Sequence, residues 1–215
     1  GYVKGTPGRK GSIYTEGALI AFMTDVFILK NTNNKKSLDD VMKILYQDFA
    51  KKGKGVSNLD YKNTIEQVAG VSYAKIYNNF IHGTADYTDQ LIESLSFIGC
   101  GLKIEPSKKH NEAYLGFTVR YENSKCMVDN IYPNSIAEDN GLAINDELMA
   151  INSIKITNDL SKWSDYFKSD EIALSVKREL GVIEKIKLTG TEETYFNLFT
   201  IKKIEESDNF KTWSK

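Results

Sequence analysis

The hydrophobic period of this chain changes once, near residue 100, and that change bounds the folds open to it. Before it, apolar residues recur at helical spacing. Leu38, Val41, Met42, Leu45 and Phe49 form one stripe, Tyr61, Ile65, Val68 and Ala69 a second. Tyr73, Ile76, Tyr77, Phe80 and Ile81 form a third, Leu91, Ile92, Leu95 and Ile98 a fourth. Ser37 with Asp40 three residues on, and Ser57, are candidate N-caps, and Gly70, Gly83 and Gly99 stand where helices stop. The apolar stretch from Gly17 to Leu29 is too short to cross a bilayer and is interrupted by Asp25, so it predicts a buried core helix. Five helices with short connections make an all-α unit.

Past the change, the chain reads as short alternating or β-branched runs: 115–121, 125–131, 147–151, 172–177 and 184–188. Pro133-Asn134-Ser135, Asn140-Gly141 and Leu180-Gly181 punctuate them as turns. The polar segment from Glu105 to Asn111 reads as a flexible connection, with the first strand of the second region beginning near Leu102. The expected domains are a helical unit over 1–100, a β-rich unit over 101–190, and an extension over 191–215. In that extension Tyr195-Phe196-Asn197-Leu198 predicts one more strand.

The 215 residues suffice for one large or two modest cores. With 28 basic and 29 acidic residues, charge gives no reason to expect nucleic acid or an anionic membrane surface. The basic run Lys51-Lys52-Gly53-Lys54 reads as a solvated loop. Cys100 and Cys126 have no metal-ligand spacing and read as free thiols. His82, at a helix end, and His110, in the polar connection, are not spaced as metal ligands and read as structural or solvated. Neither Ser12 nor Ser37 has a His–Asp arrangement nearby. The glycine-rich Gly5 to Gly11, with Arg9 and Lys10, lacks the Gly-Lys-Ser of a phosphate loop. The chain begins at Gly1 without a leader, and any signal peptide would lie upstream, so the compartment stays open to a soluble, exported or periplasmic protein.

Two motif sets carry resemblances. Tyr14-Thr15-Glu16-Gly17-Ala18-Leu19-Ile20, followed by Ser37-Leu38-Asp39-Asp40-Val41-Met42, resembles the glycyl aminopeptidase family of zinc metallopeptidases, whose core is thermolysin-like and related to aminopeptidase N. No His-Glu-x-x-His occurs, so the resemblance implies the carboxyl-terminal part of such an enzyme, with its zinc bound by residues upstream and none bound here. In the second half, Tyr114-Leu115-Gly116-Phe117 resembles the Gly-Leu-Gly-Phe carboxylate-binding loop of PDZ domains. Val128 to Leu142 resembles their strand, Pro-x-Ser-x-Ala turn and short helix, and Asn145 to Asn152 their Gly-Asp-x-Ile-x-x-Val-Asn run. Tyr114, Asn145 and Ser153 replace glycines of that pattern. The implied fold is α+β and multidomain: the helical end of a thermolysin-like domain, then a PDZ domain, a small partly open β-barrel with two helices.

The resemblances imply two activities. Tyr14 would be the transition-state tyrosine, a neutral phenol donating to the oxygen that becomes negative when a peptide carbonyl is attacked. Arg9 or Lys10 would lie toward substrate. In the second unit, N–H groups around Leu115, Gly116 and Phe117 would bind a peptide's terminal carboxylate, while Phe117, Thr118, Val119 and the strand beyond add the peptide as an extra strand. A helix from about Leu160 to Phe167, capped by Asp159, would form the other wall, with Trp163 and Phe167 facing either groove or core. The competing reading is a non-catalytic PDZ adaptor with a helical docking module.

Overall fold

A computed structural model describes residues 13–214. Its elements, in chain order, are α1 (Ile13–Asn31), α2 (Leu38–Asp48), α3 (Asn58–Ala69), α4 (Ala74–Ile76, running into a π-helical turn over Tyr77–Ile81), α5 (Thr88–Phe97), β1 (Cys100–Pro106) and α6 (His110–Ala113). There follow β2 (Phe117–Glu122), β3 (Lys125–Ile131), α7 (Ile136–Asp139), β4 (Glu147–Ile151), β5 (Ile154–Lys155), α8 (Leu160–Tyr166), β6 (Ile172–Lys177), β7 (Ile183–Leu188), β8 (Asn197–Lys203) and α9 (Asp208–Trp213). Two compact units result: residues 13–103 with 200–214, and Ile104–Phe199. The expected extension is therefore divided, its first residues belonging to one unit and its last to the other.

In the helical unit the caps are those the sequence announces. Ser37 and Ser57 each accept from the backbone three residues on or nearby, and the carboxylates of Asp40 and Asp60 return to the Ser37 and Ser57 N–H at 3.0 Å. Gly70 closes α3 in the left-handed region at φ 73°. Gly83 is needed for a different reason: a Cβ there would lie 2.6 Å from the carbonyl oxygens of Asn78 and Asn79. The core joins Met23, Ile28, Val41, Ile65 and Tyr73, all 0–1 % exposed, and the Tyr73 hydroxyl meets Thr24 Oγ1 at 2.5 Å. Burial drives that phenol's pKa well up.

The buried helix expected over Gly17 to Leu29 is core in its second half, while Gly17 and Ala18 are exposed; ahead of that stretch Ile13 is 76 % exposed and Tyr14 84 %. Asp25, its one internal acid, earns its place by accepting from the Leu38 N–H at 2.8 Å, so it tethers the start of α2.

The second unit is a six-stranded antiparallel sheet, in the order β2-β3-β4-β6-β7 with β5 on β4. Alternation sorts its side chains: Ile172, Leu174 and Val176 of β6 point inward with Cys126 and Val128 of β3 and Leu148 and Ile151 of β4. The turns run through left-handed backbone at Asn134, Asn145, Asn152 and Ser153. Asn145 (φ 70°) and Ser153 (φ 69°) thus hold conformations for which glycine is the usual choice.

Residues 105–111 are not the flexible connection that their polarity suggested. Strand β1 runs to Pro106, α6 starts at His110, and Ser107, His110 and Asn111 are buried. Ser107 and Asn111 are paired within the unit: Ser107 Oγ donates to Glu112 at 2.7 Å, the Ser107 N–H to the Phe196 carbonyl at 2.9 Å, and Asn111 Nδ2 to the Phe117 carbonyl at 3.0 Å. Polar composition misled because it records what a side chain needs, not whether the fold supplies it. Cys100 and Cys126 are free and buried, and burial pushes the Cys126 thiol up to about 11, so it is a poor nucleophile. No helix of the described residues is long and apolar enough to cross a membrane.

Candidate functional site

Among the described residues, strand β2 is an edge of the sheet, paired only with β3. The Tyr132 N–H donates to the Gly116 carbonyl at 2.8 Å, and Phe117 stands opposite Ile131. Adjacent residues of a strand direct their backbone groups to opposite sides, so Phe117 turns its N–H and C=O to the free edge. Just before it, the N–H groups of Leu115 and Gly116 meet no acceptor among the described residues, although Leu115 is 1 % exposed. Gly116 is held at φ 78°, and a Cβ there would strike the Ser135 Cβ at 2.2 Å and the Tyr195 ring at 3.0 Å. Three successive N–H groups, at Leu115, Gly116 and Phe117, thus stand at the head of the edge strand without an acceptor among the described residues, and buried N–H groups need one.

The opposite wall is α8. Asp159 precedes it but makes no cap bond. Its carboxylate accepts instead from the Thr157 N–H at 2.9 Å and from Trp163 Nε1 at 2.8 Å, and those bonds hold its pKa below the ordinary carboxylate range. Trp163 and Phe167 pack against the core cluster, which decides the orientation the sequence left open. Tyr121 hydroxyl accepts from the Leu160 N–H at 3.2 Å, joining the far end of β2 to the start of α8, and burial raises its pKa to about 12.

Between the walls stands α6. Asn111, 0 % exposed, donates from Nδ2 to the Phe117 carbonyl at 3.0 Å and accepts at Oδ1 from Ser164 Oγ of α8 at 3.4 Å. His110 lies 5.3 Å from the Tyr114 ring, centroid to centroid, and Gly190 packs on its imidazole edge. Burial lowers its pKa, Asp165 opposing and Lys168 adding to that shift. A cavity of about 420 Å³ opens here, lined by Lys108, His110, Tyr114, Asp165 and Lys168.

A family model for the PDZ domain matches residues 103–180. This part of the chain is a PDZ domain. Within it, Tyr114 to Phe117 lead into the edge strand β2, and α8 follows β5. Over 94 % of its residues the chain is also similar, at 20 % identity and TM-score 0.79, to an aminopeptidase N family protein from Idiomarina loihiensis. The chain spans 36 % of that protein's length. An HtrA-type protease with a decapeptide matches at 16 % identity and TM-score 0.32, over 36 % of this chain and 28 % of that one. The HtrA3 PDZ domain bound to a phage-derived ligand matches at 14 % and 0.33, over 46 % and 92 %. Neither overlay is close enough to carry a peptide's position onto this chain. No curated protein sequence matches it.

The structure brings Leu115, Gly116, Phe117, Thr118 and Val119 together at the head of the edge strand. Tyr14 belongs to the other unit, in the first turn of α1, and a Cβ on nearby Gly17 would meet nothing within 4 Å. Ser12 and the glycine-rich segment with Arg9 and Lys10 lie outside the described residues. Among the described residues no three His, Cys, Asp or Glu side chains stand together as a metal cluster. Sequence reasoning placed Tyr121 at the end of the peptide-adding strand from Phe117 to Tyr121 but missed Asn111 and Ser164, for which the sequence carried no signal.

Proposed function

We propose that the chain is the carboxyl-terminal part of a zinc-dependent peptidase of aminopeptidase type, whose PDZ domain takes a peptide's free carboxyl end onto the edge of β2. The observation that carries the binding half is the run of N–H groups at Leu115, Gly116 and Phe117 at the head of a free strand. A carboxylate there satisfies all three, and a charge-assisted bond is stronger than a neutral one. The peptidase half is supported by a likeness of fold that extends over both units rather than the PDZ domain alone. Tyr14 is the residue of this chain assigned to the chemistry. Its 84 % exposure leaves its phenol unclaimed by the core, free to donate to the oxyanion of an attacked carbonyl. The metal ligands would be supplied by residues upstream.

The test uses the longer protein with its upstream residues. Tyr14→Phe should lower kcat and kcat/KM together by about a hundredfold while leaving the melting temperature unchanged, since an exposed hydroxyl holds nothing in place. Turnover close to wild type in the folded variant would sink the catalytic assignment. An upstream sequence without His-Glu-x-x-His would favour the adaptor reading.

A further inference from the structure

We propose that the PDZ groove is latched by the chain's own Asn111, which holds the first acceptor that a docking peptide requires. The inference rests on the reading of β2 as a peptide-docking edge. A strand added to that edge must place an N–H on the Phe117 carbonyl, the acceptor nearest the carboxylate loop. That carbonyl receives Asn111 Nδ2 at 3.0 Å. The side-chain amide therefore copies the backbone amide of a peptide's last residue. Its Oδ1 lies 3.4 Å from Ser164 Oγ of the opposite wall, whose single proton also has the Ser161 carbonyl at 3.0 Å, so one fully buried residue touches both walls where the peptide would end.

Helix α6 is fastened from behind as well. The Tyr195 N–H donates to the Ala113 carbonyl at 2.9 Å, and the Ser107 N–H to Phe196. Peptide entry thus requires α6 to withdraw Asn111, and the affinity measured is the intrinsic one reduced by the fraction of molecules unlatched. The carboxylate donors at Leu115 and Gly116 stay unpaired in the latched state. The latch blocks the strand-addition site and leaves the anion site open.

The experiment selects free-carboxyl heptapeptides from a random display library against the wild-type chain, Asn111→Ala and Asn111→Asp. Enriched peptides are then synthesised with free and amidated ends and titrated by fluorescence anisotropy. An alanine offers no donor and a carboxylate cannot donate, so both variants should bind free-ended peptides at least tenfold tighter than wild type, with amidation abolishing binding to all three. In the wild-type chain, saturating peptide should shift the Asn111 side-chain amide resonance as it leaves Phe117, a readout that decides the matter if the variants do not fold. Equal or weaker binding by folded variants, or an unmoved Asn111 resonance with peptide bound, overturns the latch while the docking edge stands. No carboxylate-dependent peptide for any of the three overturns the docking edge and the latch with it.

Discussion

Gly70 in the helical unit and Gly116 in the PDZ domain hold nearly the same left-handed backbone, at φ 73° and 78°, for different reasons. Around Gly70 there is open space; its backbone ends a helix and nothing crowds it. Around Gly116 the Ser135 side chain and the Tyr195 ring close in, so the residue must lack a Cβ for packing as well as for φ. The contrast extends to the units that hold them. The helical unit is built from local devices: capping boxes, a left-handed stop, and side chains bonding the carbonyl one turn back, as Thr24 does to Ile20 and Thr64 to Asp60. The PDZ domain is built from contacts distant in sequence, such as Gly116 on Ser135 and Arg178 on Asp146, where Arg178 also reaches the Gly141 carbonyl at 2.9 Å. A domain of the first kind can lose one device and keep the rest; one of the second kind loses several partners at once.

The largest expected effects ask whether the two cores are separate. Phe117, 0 % exposed, belongs to the PDZ core, and Ile65, 0 % exposed, to the helical one. Phe117→Ala should cost about 3–5 kcal/mol and Ile65→Ala about 2–5 kcal/mol. Each should lower one of two transitions in a urea or calorimetric melt and leave the other in place. A single transition that moves equally for both would show that the units unfold as one.

Next comes the glycine pair itself. Gly70→Ala should cost about 1–2 kcal/mol, the strain of a Cβ in left-handed backbone. Gly116→Ala bears that strain and an overpacked Ser135 contact besides, for about 2–4 kcal/mol in all. Equal losses at the two positions would mean that the loop around Gly116 yields, and that the crowding there does not matter. Smaller still is the loss of one helix cap: Ser57→Ala should destabilise the helical transition by about 1 kcal/mol and leave the PDZ transition alone.

How much of this was legible follows the same division. The caps at Ser37 and Ser57, the stop at Gly70, the helical stripes and the strands β2, β3, β4, β6 and β7 were written in local spacing and turn residues; β5 was not. The motif run from Tyr114 to Asn152 located the edge strand and loop. What escaped was distant in sequence. Residues 105–111 looked like a solvated connection because Ser107, His110 and Asn111 are polar, yet Ser107 is held by Phe196, 89 positions away, while Asn111 is held by Phe117 and faces Ser164, 53 positions away. Asp159 looked like a cap because it precedes a helix, but Trp163 Nε1 and the Thr157 N–H claim its carboxylate. The stretch from Gly17 onward looked like core because it is apolar, yet Gly17 and Ala18 are exposed, since apolarity does not specify which end of a helix the fold covers.

The smallest effect concerns His110, and it tests whether the polar interior of α6 belongs to the PDZ core. The imidazole is buried against Tyr114 and Gly190, and burial lowers its pKa; the carboxylate of Asp165 on α8 pulls it back up and Lys168 pushes it further down. In the unfolded chain a histidine titrates near 6.5. Above that pH neither state holds the proton, and His110 contributes no pH dependence. As pH falls through about 6.5 the unfolded chain takes up a proton that the folded one refuses, so the PDZ transition should move to lower temperature, continuing until the depressed native pKa is passed. Buried carboxylates such as Asp146, whose burial raises its pKa, push the other way at lower pH, so the window to examine is pH 7 to about 5.5. His110→Gln should flatten the slope there while keeping the domain folded. If the wild-type PDZ transition is already flat between those values, or if the glutamine variant keeps the slope, His110 is solvated in the folded protein and α6 is not part of the core.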